Sequence, residues 1–181
     1  MGKQPKKIFI EMARGGKDNL KGDAGRTQSR KSKFIELYKN IKDESRDWKE
    51  ELENKSESDF RSIKLYLYYT QRGRCMYSGS PINLSELANT NIYDRDHIYP
   101  QSKTKDDSLN NLVLTQKKIN AHKSDDIISS DIQKNMYPFW KQLLEQGFIS
   151  KEKFKRLTRT TPLTNEELAG FINRQLVETR Q

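Results

Sequence analysis

Apolar side chains recur along most of this chain at spacings of three and four residues, or their sum, which is typical of amphipathic helices. The first such pattern predicts helix over 27–54, with a buried face formed by Phe34, Tyr38, Ile41, Trp48 and Leu52. The next predicts a helix capped by Ser58 or Asp59 and ended by Gly73. It carries the stripe Phe60, Ile63 and Leu67 and further apolar residues on its other sides, so we expect it to be central.

The C-terminal third shows three more helical patterns. The longest contains Ile132, Met136, Phe139, Trp140, Leu143 and Leu144, and Gly147 is placed to terminate it. Because proline removes a backbone donor, Pro138 should kink this helix or split it near Tyr137. Ser150 can cap a short helix, and Thr164-x-x-Glu167 is a capping box before the last one.

Between these helical regions lies a stretch with a different pattern. Residues 92–98 and 112–114 have the composition of strands, 101–108 that of a polar loop and 116–123 that of a short helix. The order strand, loop, strand, helix is the ββα-metal arrangement. We therefore predict the α+β class, in the form of a predominantly helical domain around a small ββα-metal core.

The composition favours a polyanionic partner. The net charge is +9, and the basic excess is spread over all three thirds of the chain. The single cysteine, Cys75, excludes an internal disulfide and a multi-cysteine zinc site, which fits a reducing cytosol. No apolar run approaches the length of a membrane span, so we expect no membrane partner.

One constellation of polar residues has spacing suited to a one-metal nuclease site. Asp96 and His97 are adjacent, Asn111 follows the histidine by fourteen residues, and Asn120 follows nine later. His97 can take a proton from water near neutral pH. Asp96 and Asn120 offer the hard oxygens that magnesium prefers, and the amide of Asn111 can tie two backbone segments together.

Each of these features also has a purely structural interpretation. Asn110-Asn111 can be turn residues. His122 does not share a helix face with Asn120, so we expect it to face solvent. Cys75 is interpreted as a small core residue. The basic side chains that could contact phosphate could equally be solvated; they are Lys117, Lys118 and Lys123.

Several segments resemble the HNH nuclease domain of the type II CRISPR RNA-guided DNA endonucleases. The resemblance is carried by 93–102, 105–108, 111–115, 118–120 and 123–125. The Leu65-Tyr66-Leu67-Tyr68-Tyr69 run with Gly73-Arg74-x-Met76-Tyr77 is similar to the segment before that motif. Residues 169–181 resemble the segment that joins the domain to a second nuclease domain. The resemblance therefore runs nearly from end to end.

The resemblance implies a role for each residue of the constellation. It implies that Asp96 and Asn120 are metal ligands, His97 is the general base and Asn111 is structural. Mg²⁺, with Mn²⁺ as a substitute, would be the cofactor. The substrate would be the DNA strand paired to the guide RNA. The residues expected to contact nucleic acid are Lys117, Lys118, Lys123 and Arg95.

The N-terminal segment resembles part of a different nuclease domain. Residues 8–14 look like a strand that supplies a catalytic glutamate, Glu11, to a RuvC-like domain whose other residues would lie outside this chain. We therefore expect an orphan RuvC-like strand over 1–12, a linker over 13–26, the HNH domain over 27–161 and a linker helix over 162–181.

The expected partners follow from this division. They are target-strand DNA in a guide RNA–DNA heteroduplex, the remaining domains of the parent nuclease and an anti-CRISPR inhibitor protein. We expect a monomer in the bacterial cytoplasm. One alternative is a non-catalytic module that docks an inhibitor or the rest of its parent. Another is a free-standing nuclease of the colicin or homing type, against which the Glu11 strand argues.

Overall fold

The computed structural model describes residues 23–43, 45–120 and 127–178, with side chains from residue 30 onward. Eight α-helices, two strands and two short 3-10 helices follow one another in these ranges. They are α1 (Asp23–Tyr38), α2 (Trp48–Glu53), a 3-10 helix (Glu57–Arg61), α3 (Ile63–Thr70), a second 3-10 helix (Leu84–Glu86), β1 (Tyr93–His97), α4 (Gln101–Thr104), β2 (Leu112–Gln116), α5 (Lys117–Asn120), α6 (Ser130–Glu145), α7 (Lys151–Leu157) and α8 (Asn165–Glu178). No helix in these ranges has the length and apolar character needed to cross a bilayer.

The predicted α+β class is confirmed, with a two-stranded sheet among helices. β1 and β2 pair antiparallel, with Tyr93 opposite Gln116 and His97 opposite Leu112. α5 follows β2 directly and contacts both strands. The predicted order of two strands followed by a helix is therefore present over 93–120, with α4 inside the connection between the strands.

The core is built around α3, as its apolar surface predicted. Leu67, Tyr68 and Tyr69 are fully buried on this helix. α6 packs on the same core through Trp140, whose indole nitrogen donates to the main-chain oxygen of Met76 at 2.9 Å. The helix therefore holds the segment that leads from α3 toward the strands.

The predicted helix over 27–54 was wrong in its continuity and in its start. α1 begins at Asp23, inside the predicted linker, and ends at Tyr38, before α2 starts at Trp48. The break has a local cause, because the Asp43 carboxylate accepts hydrogen bonds from the main chain of Ser45 at 3.0 Å and from the indole of Trp48 at 3.2 Å. Such short-range polar bonds compete with helix hydrogen bonds.

Two further predictions were wrong in detail, and a third, for Pro138, was wrong in the split that it gave as one of two alternatives. The cap of α3 is Ser62, not Ser58 or Asp59, since its hydroxyl accepts from the Leu65 amide. Residues 101–104 form α4 instead of a polar loop. α6 continues through Pro138 without splitting, because the following residues remain packed on the core through Trp140 and Leu143.

The caps predicted for the last two helices are confirmed. The hydroxyl of Ser150 accepts from the Lys153 amide at 3.0 Å at the start of α7. Before α8, the Thr164 amide donates to Glu167 at 2.8 Å, and the Glu167 amide donates to the Thr164 hydroxyl at 3.2 Å. The predicted orphan strand over 1–12 lies outside the described residues, as does the linker up to residue 22.

Candidate active site

The Asp-His pair lies at the end of β1. His97 is the last residue of the strand and pairs with Leu112, while Asp96 pairs with Val113. Both side chains are half-buried. A strand that continued regularly would direct these neighbours to opposite faces. The strand ends at His97, close to Pro100, whose restricted backbone disfavours a continuing strand.

Asn111 is fully buried in the turn that leads into β2. Its side-chain oxygen accepts from the Tyr99 amide at 2.9 Å, and its nitrogen donates to the Tyr99 oxygen at 3.0 Å. The same nitrogen donates to the main-chain oxygen of Asp106 at 2.8 Å. One amide thus joins the segment after His97 to the loop before β2.

The Asp96 carboxylate is held by a residue from before the strand. The hydroxyl of Tyr77 donates to Asp96 Oδ2 at 2.6 Å. Burial, together with the adjacent carboxylate, raises the pKa of Tyr77 well above its usual value. The phenol therefore keeps its proton and remains a hydrogen-bond donor to Asp96.

The His97 ring contacts a second carboxylate in the loop between the strands. His97 Nε2 lies 2.7 Å from Asp107 Oδ1, and Gln101 Nε2 donates to the same oxygen at 3.0 Å. The preceding residue, Asp106, forms an ion pair with Arg156 of α7 at 2.6 Å. Although burial alone would raise the pKa of Asp106, hydrogen bonds from Ser108 and Arg156 outweigh it and hold the pKa below its usual value.

The remaining predicted site residues lie on β1 and α5 or outside the described chain. Asn120 is the half-buried last residue of α5, on the helix that contacts both strands. Three of the proposed nucleic-acid contacts are exposed around this unit; they are Arg95, Lys117 and Lys118. Glu11, His122 and Lys123 lie outside the described residues.

The side chains predicted to hold a metal would suit magnesium better than a structural transition metal. Asp96 would supply a carboxylate and Asn120 an amide oxygen. Within the described ranges, no three His, Cys, Asp or Glu side chains form a group that could hold a metal ion. Magnesium is commonly bound by one or two protein oxygens and completes its coordination with water and substrate phosphate. A closed zinc site would need four nitrogen or sulfur ligands.

A buried lysine supports the turn that carries Asn111. Lys153 of α7 is 3% exposed and donates to the main-chain oxygens of Leu109 at 3.1 Å and Leu112 at 2.6 Å. Burial lowers the pKa of its amine to about 7. α7 therefore fixes the turn from behind, independently of the Asn111 side chain.

Sequence reasoning missed the four side chains that hold the site residues, namely Tyr77, Asp107, Lys153 and Arg156. Tyr77 and Asp107 fall within the segments that carried the family resemblance, so that resemblance was the one available signal for them. Lys153 and Arg156 read as ordinary charged positions of an amphipathic helix. The structural interpretation of Cys75 is confirmed, because it is buried with its sulfur 3.3 Å from the Thr115 hydroxyl.

Comparison with known proteins places these residues in a family. A model of the HNH endonuclease family matches residues 75–128, which include β1, β2 and α5. The CRISPR-associated endonuclease Cas9 of Streptococcus mutans is 39% identical over 100% of this chain, which corresponds to 13% of that protein. The Listeria innocua protein of the same name is 41% identical over 100% of the chain and 13% of its own length.

A third relative matches a shorter region. The CRISPR-associated endonuclease Cas9 of Staphylococcus aureus is 35% identical over 65% of the chain and 12% of its own length. The chain thus spans about an eighth of the curated relatives it matches, and the HNH endonuclease match falls within that part. This chain therefore belongs to the Cas9 family of CRISPR-associated endonucleases and contains its HNH endonuclease segment.

Proposed function

We infer that this chain is the metal-dependent HNH endonuclease domain of a longer RNA-guided enzyme. It would hydrolyse a phosphodiester bond in the DNA strand paired to the guide RNA. The observation that carries this proposal is the Asp96–His97 pair at the end of β1, on a β1–β2–α5 unit within the HNH endonuclease match. The relatives named as CRISPR-associated endonucleases supply the RNA-guided context.

Hydrolysis in this site would begin with His97. Its imidazole takes a proton from water, and the water oxygen forms a bond to phosphorus as the bond from phosphorus to the 3′ oxygen breaks. The departing oxygen takes a proton from solvent. The products are a 5′-phosphate and a 3′-hydroxyl.

Asp96 and Asn120 would hold Mg²⁺, with Mn²⁺ as a substitute. When bound, the ion supplies charge neutralisation at the scissile phosphate and at the leaving oxygen. The Tyr77 hydroxyl fixes one oxygen of the Asp96 carboxylate, so the direction from which this ligand approaches is set by the protein. Arg95, Lys117, Lys118 and Lys123 are the proposed contacts to the nucleic-acid backbone.

A nicking assay on duplex and single-stranded DNA tests the proposal. With Mg²⁺ present, the chain should nick DNA, and a chelator should stop it. His97→Ala should abolish nicking while leaving the fold and Mg²⁺ binding in place, whereas Asp96→Ala should weaken Mg²⁺ binding. If His97→Ala cuts as fast as the parent, His97 is not the base.

Strand choice needs the rest of the enzyme. Grafting this chain in place of the matching 13% of the Streptococcus mutans relative provides that context. The graft should cut the guide-paired strand, and the same graft with His97→Ala should not. Cutting of that strand by both grafts would exclude this site as its nuclease.

A second function, docking to the rest of the parent or to an inhibitor protein, is favoured by one observation. α8 exposes large apolar side chains, with Ile172 52%, Leu176 52% and Val177 61% exposed. The graft with and without His97→Ala distinguishes docking from nuclease activity. A docking module would bind its partner equally well with His97→Ala, and it would show no Mg²⁺-dependent nicking in the graft.

A further inference from the structure

A hydrogen bond between His97 and Asp107 joins one nitrogen of the ring to a carboxylate. The two atoms, Nε2 and Oδ1, lie 2.7 Å apart. An ionised carboxylate only accepts hydrogen bonds, so Nε2 must be the donor. In the neutral ring, Nδ1 then carries the lone pair. With Nε2 as the donor, Nδ1 is the ring atom that would accept a proton.

The loop that carries Asp107 is fixed on both sides of it. On one side, Asp106 is held by the Arg156 ion pair at 2.6 Å and by the Asn111 amide at 2.8 Å. On the other side, the Ser108 amide donates to the Asp106 carboxylate at 2.9 Å. The Asp107 carboxylate also accepts from Gln101 at 3.0 Å. The position of Asp107 is thus determined by the surrounding structure, although its side chain is 67% exposed.

The two partners are also fixed relative to each other. Asn111 binds the main chain of Tyr99, two residues after His97, and the main chain of Asp106, one residue before Asp107. One buried side chain therefore sets the separation of the segments that carry the ring and the carboxylate. A chance surface contact would have no such common anchor.

We propose that Asp107 is a positioning residue for His97, holding the ring in the Nε2-protonated form with Nδ1 as the basic atom. This deepens the proposed function and rests on it, since the basic atom matters only if His97 activates water. Because Asp107 is exposed, its charge is screened by solvent, and its effect is to orient the ring and select the tautomer.

The test compares Asp107→Ala with a matched control in the full 181-residue chain. Glu145→Ala is the control, because it removes an exposed carboxylate at the end of α6 whose partner is Lys141. Three quantities are measured for each variant. Long-range proton–nitrogen NMR spectra, assigned with His97→Ala, report the His97 tautomer at pH 8. Single-turnover nicking and DNA binding report the rate and the dissociation constant.

The parent and Glu145→Ala should show the Nε2-protonated ring. Asp107→Ala should show a mixture of tautomers and a single-turnover rate about ten- to a hundredfold lower, with DNA binding unchanged. A purely structural role would not move the tautomer in a folded variant. An unchanged tautomer, or nicking as fast as the parent or faster, would overturn the proposal.

Failure of the proposed function gives a different result. If the parent shows no Mg²⁺-dependent nicking either alone or in the graft, the nuclease function is refuted, and the catalytic consequence of Asp107 with it. The spectra would then still decide whether Asp107 sets the His97 ring.

Discussion

Replacing Lys153 by methionine should remove a pH dependence of stability that is unusual for a lysine. The Lys153 amine is buried and donates to the main-chain oxygens of Leu109 and Leu112, which flank Asn111. Burial lowers its pKa from 10.5 to about 7 in the folded chain. Methionine keeps the length and apolar stem of the side chain but cannot titrate.

The direction of the effect follows from proton linkage. Between pH 7 and 10.5, the unfolded chain holds the Lys153 proton more tightly than the folded chain does. The free energy of unfolding therefore rises with pH in this window. Integrated from pH 7 to pH 9, these two pKa values give about 2 kcal/mol. This is an upper limit, because the two carbonyl oxygens favour the charged amine.

The assay is urea unfolding of the parent and two variants at pH 7, 8 and 9. Subtracting the free energy of unfolding of Lys153→Met from that of the parent cancels the contributions of the other groups that titrate in this range. The free energy of unfolding of the parent minus that of Lys153→Met should increase by up to about 2 kcal/mol between pH 7 and pH 9. Lys155→Met removes an exposed lysine from the same helix, and its difference from the parent should stay constant.

Methionine also leaves two carbonyl oxygens without their donor. That loss costs about 1–3 kcal/mol for each buried group, but it does not depend on pH and so does not disturb the slope. A parent-minus-variant difference that stays constant from pH 7 to pH 9 would refute the reasoning. It would mean that the folded chain keeps the proton through this range and that burial is not the dominant influence on the amine.

Three further predictions concern the site and its support. Tyr77→Phe removes the 2.6 Å hydrogen bond to Asp96. It should raise the Mg²⁺ dissociation constant measured by calorimetry about tenfold, and an unchanged constant would show that this bond does not orient the carboxylate. Asn111→Leu removes three hydrogen bonds to main-chain atoms and should lower the free energy of unfolding in urea by about 3 kcal/mol; a loss below about 1 kcal/mol would contradict this. Gly73→Ala places a Cβ 3.0 Å from a buried tryptophan ring at a backbone φ of +67°, so the thermal midpoint should fall as stability drops by about 1–3 kcal/mol. Gly170→Ala lies inside α8 with nothing within 4 Å of the new atom, so it should raise the midpoint, because alanine stabilises a helix by about 0.5–1 kcal/mol relative to glycine.

The parts of the fold that could be predicted are those whose cause is local. The short strands were read from runs of apolar and β-prone residues, and the end of β1 from Pro100. Ser150 and the Thr164–Glu167 pair were recognised as caps because a capping bond joins residues three positions apart. The buried character of α3 followed from apolar residues on several of its sides. In each case the residues that determine the structure are neighbours in the sequence.

The helix errors came from competing interactions that periodicity does not register. Spacing alone predicted that the first helix continues through 39–47. The Asp43 carboxylate instead accepts hydrogen bonds from Ser45 and Trp48 in this stretch. At Pro138 the sequence predicted a kink or a split, but α6 does not split there, and the turns that follow are packed on the core. Local propensity is a weak guide wherever a side-chain hydrogen bond or a buried face can outweigh it.

The proposed reactive groups and the side chains that hold them differ in the same way. Asp96, His97, Asn111 and Asn120 fall within one short segment, so their spacing in the sequence is enough to suggest a site. The groups that hold this segment come from far along the chain, because Lys153 binds Leu112 across 41 residues and Arg156 binds Asp106 across 50. Which distant side chain meets a given loop is decided by how α7 packs, and no spacing rule encodes that. The chemistry proposed at His97 should therefore be sensitive to changes on α7, a helix that contributes no residue to the proposed catalytic motif.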